Sequence, residues 1–322
     1  MQGAKHTDER VSKNTSAGLE GVQGPAVKRE QVVCIFVNPL SGNGSGAEMA
    51  AETKAYLESR GHSVRIRDSQ PSYAAAEMEH FLSTLDAVVI AGGDGTVMGL
   101  LPHISKAGVP FYMLPAGNES LIAKEFGMQR NPEDVADRLE RAPTQHHFGV
   151  VECNGNIRPF FIMASMGLDS AIVADIAKDR TAPLGDIGYV LPAVRSLLGY
   201  EAPQITLKVD GAQVLSEQSG YLIVANSKQY AKGLGLVPEA HCSSAELCAR
   251  FIPGEGIATY LAWLPALLTG AKLNLEGSEL YRGKRFEINV KGNSPFPIQA
   301  DGDLAGSTPA VIELSQDVVR VL

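Results

Sequence analysis

Apolar and polar positions follow two different rhythms along this chain, and the change falls near Gly149. The first apolar run, Gln31-Val32-Val33-Cys34-Ile35-Phe36-Val37, is rich in β-branched residues and stops at Asn38-Pro39, which predicts a buried strand. From Ala47 to Arg60, Met49, Ala50, Tyr56 and Leu57 recur at helical spacing, and Gly61 supplies the stop. Ser63 to Arg67 alternates as a strand, and Tyr73 to Leu82 reads as a second helix. Asp86-Ala87-Val88-Val89-Ile90 is a third strand running into a glycine cluster, and Val109 to Leu114 is a further apolar run. Strands alternating with helices imply a parallel sheet with crossover helices, whose ligands sit outside the carboxyl ends of the strands.

Beyond Gly149 the runs become short and alternating. Phe160-Phe161-Ile162-Met163, Ile205-Thr206-Leu207-Lys208-Val209 and Tyr221-Leu222-Ile223-Val224 are separated by Gly, Asn and Asp, which predicts a largely antiparallel second lobe. One helix is expected inside it, Ile187 to Leu198, where Tyr189, Val190, Val194, Leu197 and Leu198 form an apolar stripe. The first thirty residues are polar, mixed in charge and without the apolar core of a signal peptide, so residues 1–30 are read as a flexible tail.

Composition narrows the function classes. At 322 residues the chain has room for two lobes of ordinary size. A formal charge of −8 argues against a protein that wraps nucleic acid by neutralising phosphates. Cys34, Cys153, Cys242 and Cys248 form neither a C-x-x-C pair nor a secreted disulfide framework, which fits a reducing cytoplasm. The longest apolar run, Tyr260 to Leu268, contains Pro265 and falls far short of the roughly 20 residues that cross a bilayer. It could lie at a membrane interface or be buried in the second lobe. His103, His146 and His147 have no partners at metal spacing, and no zinc site is read at Cys242 and Cys248.

The candidate chemistry lies in three glycine loops, each ending a strand candidate. Val88-Val89-Ile90-Ala91-Gly92-Gly93-Asp94-Gly95-Thr96 is the densest. Glycines there let backbone N–H groups approach a phosphate chain, and a following helix start adds partial positive charge. Asp94 would repel a triphosphate unless it held Mg²⁺ or accepted from a ribose or a backbone N–H; a tight turn with an Asp cap is the plain alternative. Asn38-Pro39-Leu40-Ser41-Gly42-Asn43-Gly44 follows the first strand, and Leu114-Pro115-Ala116-Gly117-Asn118-Glu119-Ser120 follows the run from Val109. Neither G-x-x-x-x-G-K-[ST] nor a strand-linked G-x-G-x-x-G occurs, so a P-loop enzyme and a Rossmann dehydrogenase are set aside.

Together these loops resemble the catalytic domain of diacylglycerol kinases, sphingosine kinases and their bacterial lipid-kinase relatives. Asn38, Pro39, Ser41, Gly42 and Gly44 match that family's N-P-x-S-G-x-G, and Gly92, Gly93, Asp94, Gly95 and Thr96 match its G-G-D-G-T. Gly117 and Asn118 stand in its third motif, with Asn118 and Ser120 replacing the usual Thr and Asn. Gly167-Leu168-Asp169-Ser170 resembles its G-F-D-A segment, and Asn226 to Pro238 its glycine-rich loop. The resemblance implies an NAD kinase / diacylglycerol kinase-like fold: an α/β ATP-binding lobe with a parallel sheet over residues 31–148, a β-sandwich lipid-substrate lobe over 149–300, and a segment 301–322 returning to the first lobe. It implies ATP and Mg²⁺ as cofactors, a lipid acceptor at a membrane surface, and a cytoplasmic, peripherally membrane-associated enzyme, and it leaves a homodimer open. Its D-G-E motif reads Asp301-Gly302-Asp303 here, which puts the base that takes the lipid hydroxyl's proton on Asp303, one methylene shorter than Glu. Without the family, Asp301-Gly302 reads as a type I′ hairpin turn.

Where relatives carry an Asp-Gly pair that supports Mg²⁺, this chain has Ser244-Ala245, so Glu239 or Glu246 would have to stand in and the metal ligands stay unassigned. Two other readings remain: an NAD kinase, which shares the G-G-D-G-T loop, and a lipid- or nucleotide-binding protein of this fold with impaired turnover.

Overall fold

Three central strands buried on both faces organise the first lobe: β1 (Val32–Val37), β3 (Ala87–Gly92) and β4 (Phe111–Pro115). Continuous apolar runs of this kind belong to parallel sheets covered by helices. The edge is β2 (Ser63–Asp68), whose outer positions are exposed. The computed structural model describes residues 29–39, 44–70, 73–117, 119–178, 200–230, 235–258 and 275–322. Ser41, Gly42 and Asn118, the expected helix Ile187–Leu198, the stretch Tyr260–Leu268 and residues 1–28 of the tail lie outside the described residues.

The helices of this lobe are α1 (Ser45–Ser59), α2 (Ala75–Ser83), α3 (Asp94–Ala107), α4 (Leu121–Phe126) and α5 (Pro132–Leu139). Strand order is β2-β1-β3-β4, all parallel, with Ile35 opposite both Ile66 and Val89, and Val88 opposite Phe111.

The second lobe is an antiparallel sandwich. Its strands are β5 (Thr144–Cys153), β6 (Asn156–Phe160), β7 (Met163–Met166), β8 (Gln204–Val209), β9 (Ala212–Ala225), β10 (Leu247–Pro253), β11 (Glu279–Gly283), β12 (Arg285–Val290), β13 (Pro297–Ala300), β14 (Asp303–Ser307) and β15 (Ala310–Val321). One helix, α6 (Leu168–Lys178), follows β7. The first half of β9 pairs with β8, the second half with β7 and β10, so this one strand belongs to both layers. Phe160, Leu207, Phe286 and Ile312 from one layer meet Leu222, Val224, Phe251 and Ile298 from the other in a single core.

β15 joins the lobes. Its Ala310 and Ile312 lie in the sandwich core, whereas Val319 and Val321 lie in the core of the first lobe, where Val321 pairs parallel with Phe111 of β4. The run Phe160 to Met163, expected as one alternating strand, is broken instead. β6 ends at Phe160 and β7 begins at Met163, because the N–H groups of Phe161, Ile162 and Met163 are taken by the side chain of Asp301. Among the described residues no helix is long and apolar enough to cross a membrane.

Candidate active site

Three parallel strands end side by side, and their loops are stitched together. Asn38 N–H donates to the Ala91 carbonyl at 3.1 Å, and Ala116 N–H to the Gly92 carbonyl at 3.1 Å. The Asn38 amide donates to Thr96 Oγ1 at 3.3 Å. Gly92 has to be glycine for this packing, since a Cβ there would lie 2.6 Å from Thr96 Oγ1. Gly93 precedes α3 in an extended conformation, and Asp94 opens the helix. Gly95 and Gly99 are exposed, and nothing lies within 4 Å of a Cβ built on either. Both border a cavity of ≈ 310 Å³ whose wall includes Asn38, Tyr73 and Thr96.

Asp94 turns away from that cavity. Its carboxylate accepts from Leu121 N–H at 2.8 Å and Ile122 N–H at 3.0 Å, which caps the start of α4. Burial raises its carboxyl above the usual range, against the pull of those two N–H groups. Ser120, the residue before α4, makes no side-chain cap; its hydroxyl lies 3.4 Å from the Gly117 carbonyl.

On its other side Asp94 borders a second cavity of ≈ 330 Å³, lined also by Asp169, Tyr230, Gln299 and Asp301. Asp301 and Gly302, at φ 49° and 87°, form the two-residue turn between β13 and β14, with Ala300 opposite Asp303. The turn folds the Asp301 carboxylate back onto the linker before β7, where it accepts from Phe161, Ile162 and Met163 N–H at 2.6, 3.0 and 2.9 Å. Burial raises the Asp301 carboxyl to about 7; the three N–H groups oppose the shift and the charge of Asp94 adds to it.

Asp169 lies in the first turn of α6, within the same wall. Its Oδ2 accepts from Ser165 Oγ at 2.5 Å, Tyr221 Oη at 3.0 Å and Gln299 Nε2 at 3.2 Å. Burial raises its carboxyl despite these donors, and burial followed by the Asp169 charge raises the Tyr230 phenol.

Asp303 is not brought to either cavity. Its side chain is exposed and bound to Arg158 at 2.6 Å, whose guanidinium also donates to the Leu304 carbonyl. The physical reason is the turn: Asp301 occupies the left-handed position that bends inward, whereas Asp303 already belongs to the exposed start of β14. Glu239 and Glu246, the stand-ins for a lost metal carboxylate, are engaged elsewhere. Arg250 grips both oxygens of Glu239 at 2.7 Å, and Arg282 holds Glu246 at 2.9 Å. Among the described residues no group of three or more His, Cys, Asp or Glu side chains could hold a metal.

Asp169, Gln299 and Asp301 were not among the residues chosen from the sequence. Asp169 was marked only by its G-L-D-S segment and Asp301 by the turn, while Gln299 carries no local signal because Asp169 is its distant partner.

Residues 32–152 match the diacylglycerol kinase catalytic domain, and residues 163–322 match the YegS C-terminal NAD kinase beta sandwich-like domain. The chain belongs to the diacylglycerol kinase-like superfamily. This superfamily member is of kinase type. It is 27% identical over 299 residues to a diacylglycerol kinase of Mycobacterium tuberculosis, covering 90% of this chain and 94% of that one. A crystal structure of a diacylglycerol kinase from Bacillus anthracis shares the fold at TM-score 0.61 and 18% identity, over 91% of this chain and 97% of the other. Similarity to NAD kinase 1 of Thermosynechococcus vestitus is partial: 30% identity over 33% of this chain and 36% of that protein.

Proposed function

We propose that this chain transfers the γ-phosphoryl group of ATP to the hydroxyl of a lipid presented at a membrane surface, with a diacylglycerol-like acceptor ahead of a sphingoid base or ceramide. One observation carries the reading: the first turn of α3 borders both cavities, with Gly95 and Thr96 on the first and Asp94 on the second. A nucleotide in the first and an acceptor in the second would meet at that turn, as phosphoryl transfer by positioning and charge neutralisation requires.

Asn38, Gly95 and Thr96 line the cavity proposed for the nucleotide, and Ser41, Gly42, Gly92, Gly93, Gly117 and Asn118 are assigned to it through their motifs. The open space in front of Gly95 and Gly99 is room that a Cβ would occupy, which fits close approach of backbone to a phosphate chain. The acceptor cavity has Asp94, Glu119, Asp169 and Asp301 in its wall and no Lys or Arg among its described lining residues. Asp94, Asp169 and Asp301 in that wall are engaged by protein N–H and O–H donors and form no three-ligand metal group, so Mg²⁺ would enter with the ATP phosphates and neutralise their charge rather than rest in a protein site.

Asp301, rather than Asp303, is proposed to take the proton. The acceptor hydroxyl gives its proton to that carboxylate, its oxygen bonds to the γ-phosphorus, and the bond from that phosphorus to the leaving ADP breaks. Residues 31–148 would then serve the nucleotide, 149–300 the lipid, and 301–322 would tie the proton acceptor back to the first lobe.

The test is incubation of the purified protein with labelled ATP, Mg²⁺ and mixed micelles of diacylglycerol, monoacylglycerol, sphingoid base or ceramide, followed by organic extraction. Label in the organic phase is expected with diacylglycerol and should vanish for Asp94→Ala while circular dichroism stays unchanged. Label appearing in NADP when NAD is supplied as the acceptor in a parallel incubation, with none in any lipid, would replace this reading with the NAD kinase one. Bound ATP without transfer to any acceptor would leave a binding protein.

A further inference from the structure

We infer that Glu125 is a positioning residue: it fastens the loop that carries Tyr230 into the acceptor cavity onto the helix capped by Asp94, and so sets that cavity against the glycine loop. The inference rests on the phosphoryl-transfer reading above, but its geometry stands independently of it.

Glu125 lies half-buried on α4. Its Oε2 accepts from Ser227 Oγ at 2.9 Å and Gln229 Nε2 at 3.1 Å, both in the loop that follows β9. Oε1 faces the Cys242 thiol at 3.8 Å. Ser227 is fully buried, and its hydroxyl in turn accepts from Gln229 N–H at 3.1 Å, so one carboxylate organises the whole turn leading to Tyr230. Tyr230 then reaches the cavity wall, with its hydroxyl 3.5 Å from Asp169.

The other end of the same loop is tied to the linker that holds Asp301. Asn226 and Ser227 N–H donate to the Ile162 carbonyl at 2.9 and 3.1 Å, and the Asn226 amide donates to the Phe161 carbonyl at 2.7 Å. Phe161 and Ile162 thus give their carbonyls to the loop and their N–H groups to Asp301. A continuous path results: Asp94 caps α4, Glu125 of α4 holds Ser227 and Gln229, Asn226 holds the linker, and the linker holds Asp301.

In that path the step from α4 to the loop is made by side chains. Removing the carboxylate would leave the buried Ser227 hydroxyl and the Gln229 amide without their acceptor, a loss borne by the loop rather than by the rigid sheet. Glu125 borders neither cavity, so the nucleotide side should not register the change.

The experiment compares Glu125→Ala and Glu125→Gln in the full chain. Glutamine keeps an oxygen for Ser227, so it should restore most of what alanine loses. Glu125→Ala should raise the acceptor KM about 10-fold while kcat and the KM for ATP each stay within about twofold, because uniform binding of the acceptor is what is lost. A fall in kcat with unchanged acceptor KM, or an equal rise in the KM for ATP, would overturn the proposal. Hydrogen exchange of the peptide covering Asn226 to Tyr230 gives a readout that needs no activity. It should speed up in Glu125→Ala and not in Glu125→Gln, with α3 amides unaffected; unchanged exchange would equally overturn it. Should the wild type phosphorylate no lipid, the exchange result still decides the role of Glu125, and the failure would belong to the proposed reaction alone. If Glu125→Ala does not fold, Ser227→Ala removes the same hydrogen bond from the loop side and must give the same exchange pattern.

Discussion

Arg158 donates to the Asp303 carboxylate at 2.6 Å, on the exposed flank of the hairpin whose tip bends Asp301 into the cavity beside Asp94. Two aspartates separated by one glycine therefore have opposite surroundings, one solvated and ion-paired, the other held by backbone N–H groups. A solvent-exposed ion pair contributes about 0–1 kcal/mol, so Asp303→Asn should fold normally and keep its transfer rate within about threefold. Asp301→Asn should lose about 100-fold or more in kcat, as removal of a proton acceptor does. Initial rates of the two variants decide the assignment; a collapse in Asp303→Asn alone would return the role to Asp303.

The pH dependence of the Asp301 carboxyl has two opposite signs. As proton acceptor it works only when ionised, so the transfer rate should climb through about pH 7 and level off above it. Its folded value is raised from 3.8 to about 7, so its stability contribution is complete below about pH 4 and is lost as pH rises through 7. Urea unfolding of the wild type and Asp301→Asn at pH 5 and pH 8 isolates this one group. The wild type should lose stability relative to the variant on going to pH 8, and an unchanged difference would show that Asp301 is ionised throughout.

The parallel lobe was legible because Val32–Val37 and Ala87–Gly92 are unbroken apolar runs, and burial on both faces writes such runs directly into the sequence. Gly92 and Thr96 could be marked for the same reason, since their packing is with each other, four residues apart. The acceptor side was not legible in this way. Asp301 finds its donors about 140 residues away in Phe161 to Met163, and Gln299 meets Asp169 across two strands and a helix start. Periodicity reports neighbours along an element, and these partners are brought together only by the sandwich topology. The break at Phe161 and Ile162 was missed for the same cause: the side chain that takes their N–H groups lies near the other end of the chain.

Two glycines of the G-G-D-G-T motif should respond in opposite ways. An alanine at Gly92 would set its Cβ 2.6 to 3.1 Å from three atoms of Thr96, so Gly92→Ala must displace Thr96 and should lower Tm. Gly95 sits in the first turn of α3 with open space before it, and alanine there should raise stability by about 0.5–1 kcal/mol through helix propensity. Its new methyl would enter the nucleotide cavity, so Gly95→Ala should bind ATP at least about 10-fold more weakly while melting no lower than the wild type. Calorimetric titration with ATP beside a thermal melt checks both halves. Full ATP affinity in Gly95→Ala would move the nucleotide away from this motif.

Glu239 presents the same choice between structure and chemistry. Arg250 on β10 is buried and places one guanidinium nitrogen on both Glu239 oxygens at 2.7 Å, while its other terminal nitrogen donates to Ser278 Oγ at 2.8 Å. Burial works against the Glu239 charge, but the Arg250 hydrogen bonds outweigh it and hold the carboxyl below its usual range. The contribution is therefore present above the ordinary glutamate value of 4.5 and fades as pH falls through the lower folded value. Glu239→Gln leaves a buried guanidinium without its counter-charge, a loss of up to about 3 kcal/mol once the partial exposure of Glu239 is allowed for. A metal carboxylate would behave differently: its removal would raise the Mg²⁺ concentration needed for half-maximal transfer and leave the melt nearly unchanged. We expect the first pattern, a lower Tm at pH 7 with an unaltered Mg²⁺ requirement. The second pattern would mean that Glu239 leaves Arg250 to serve the metal.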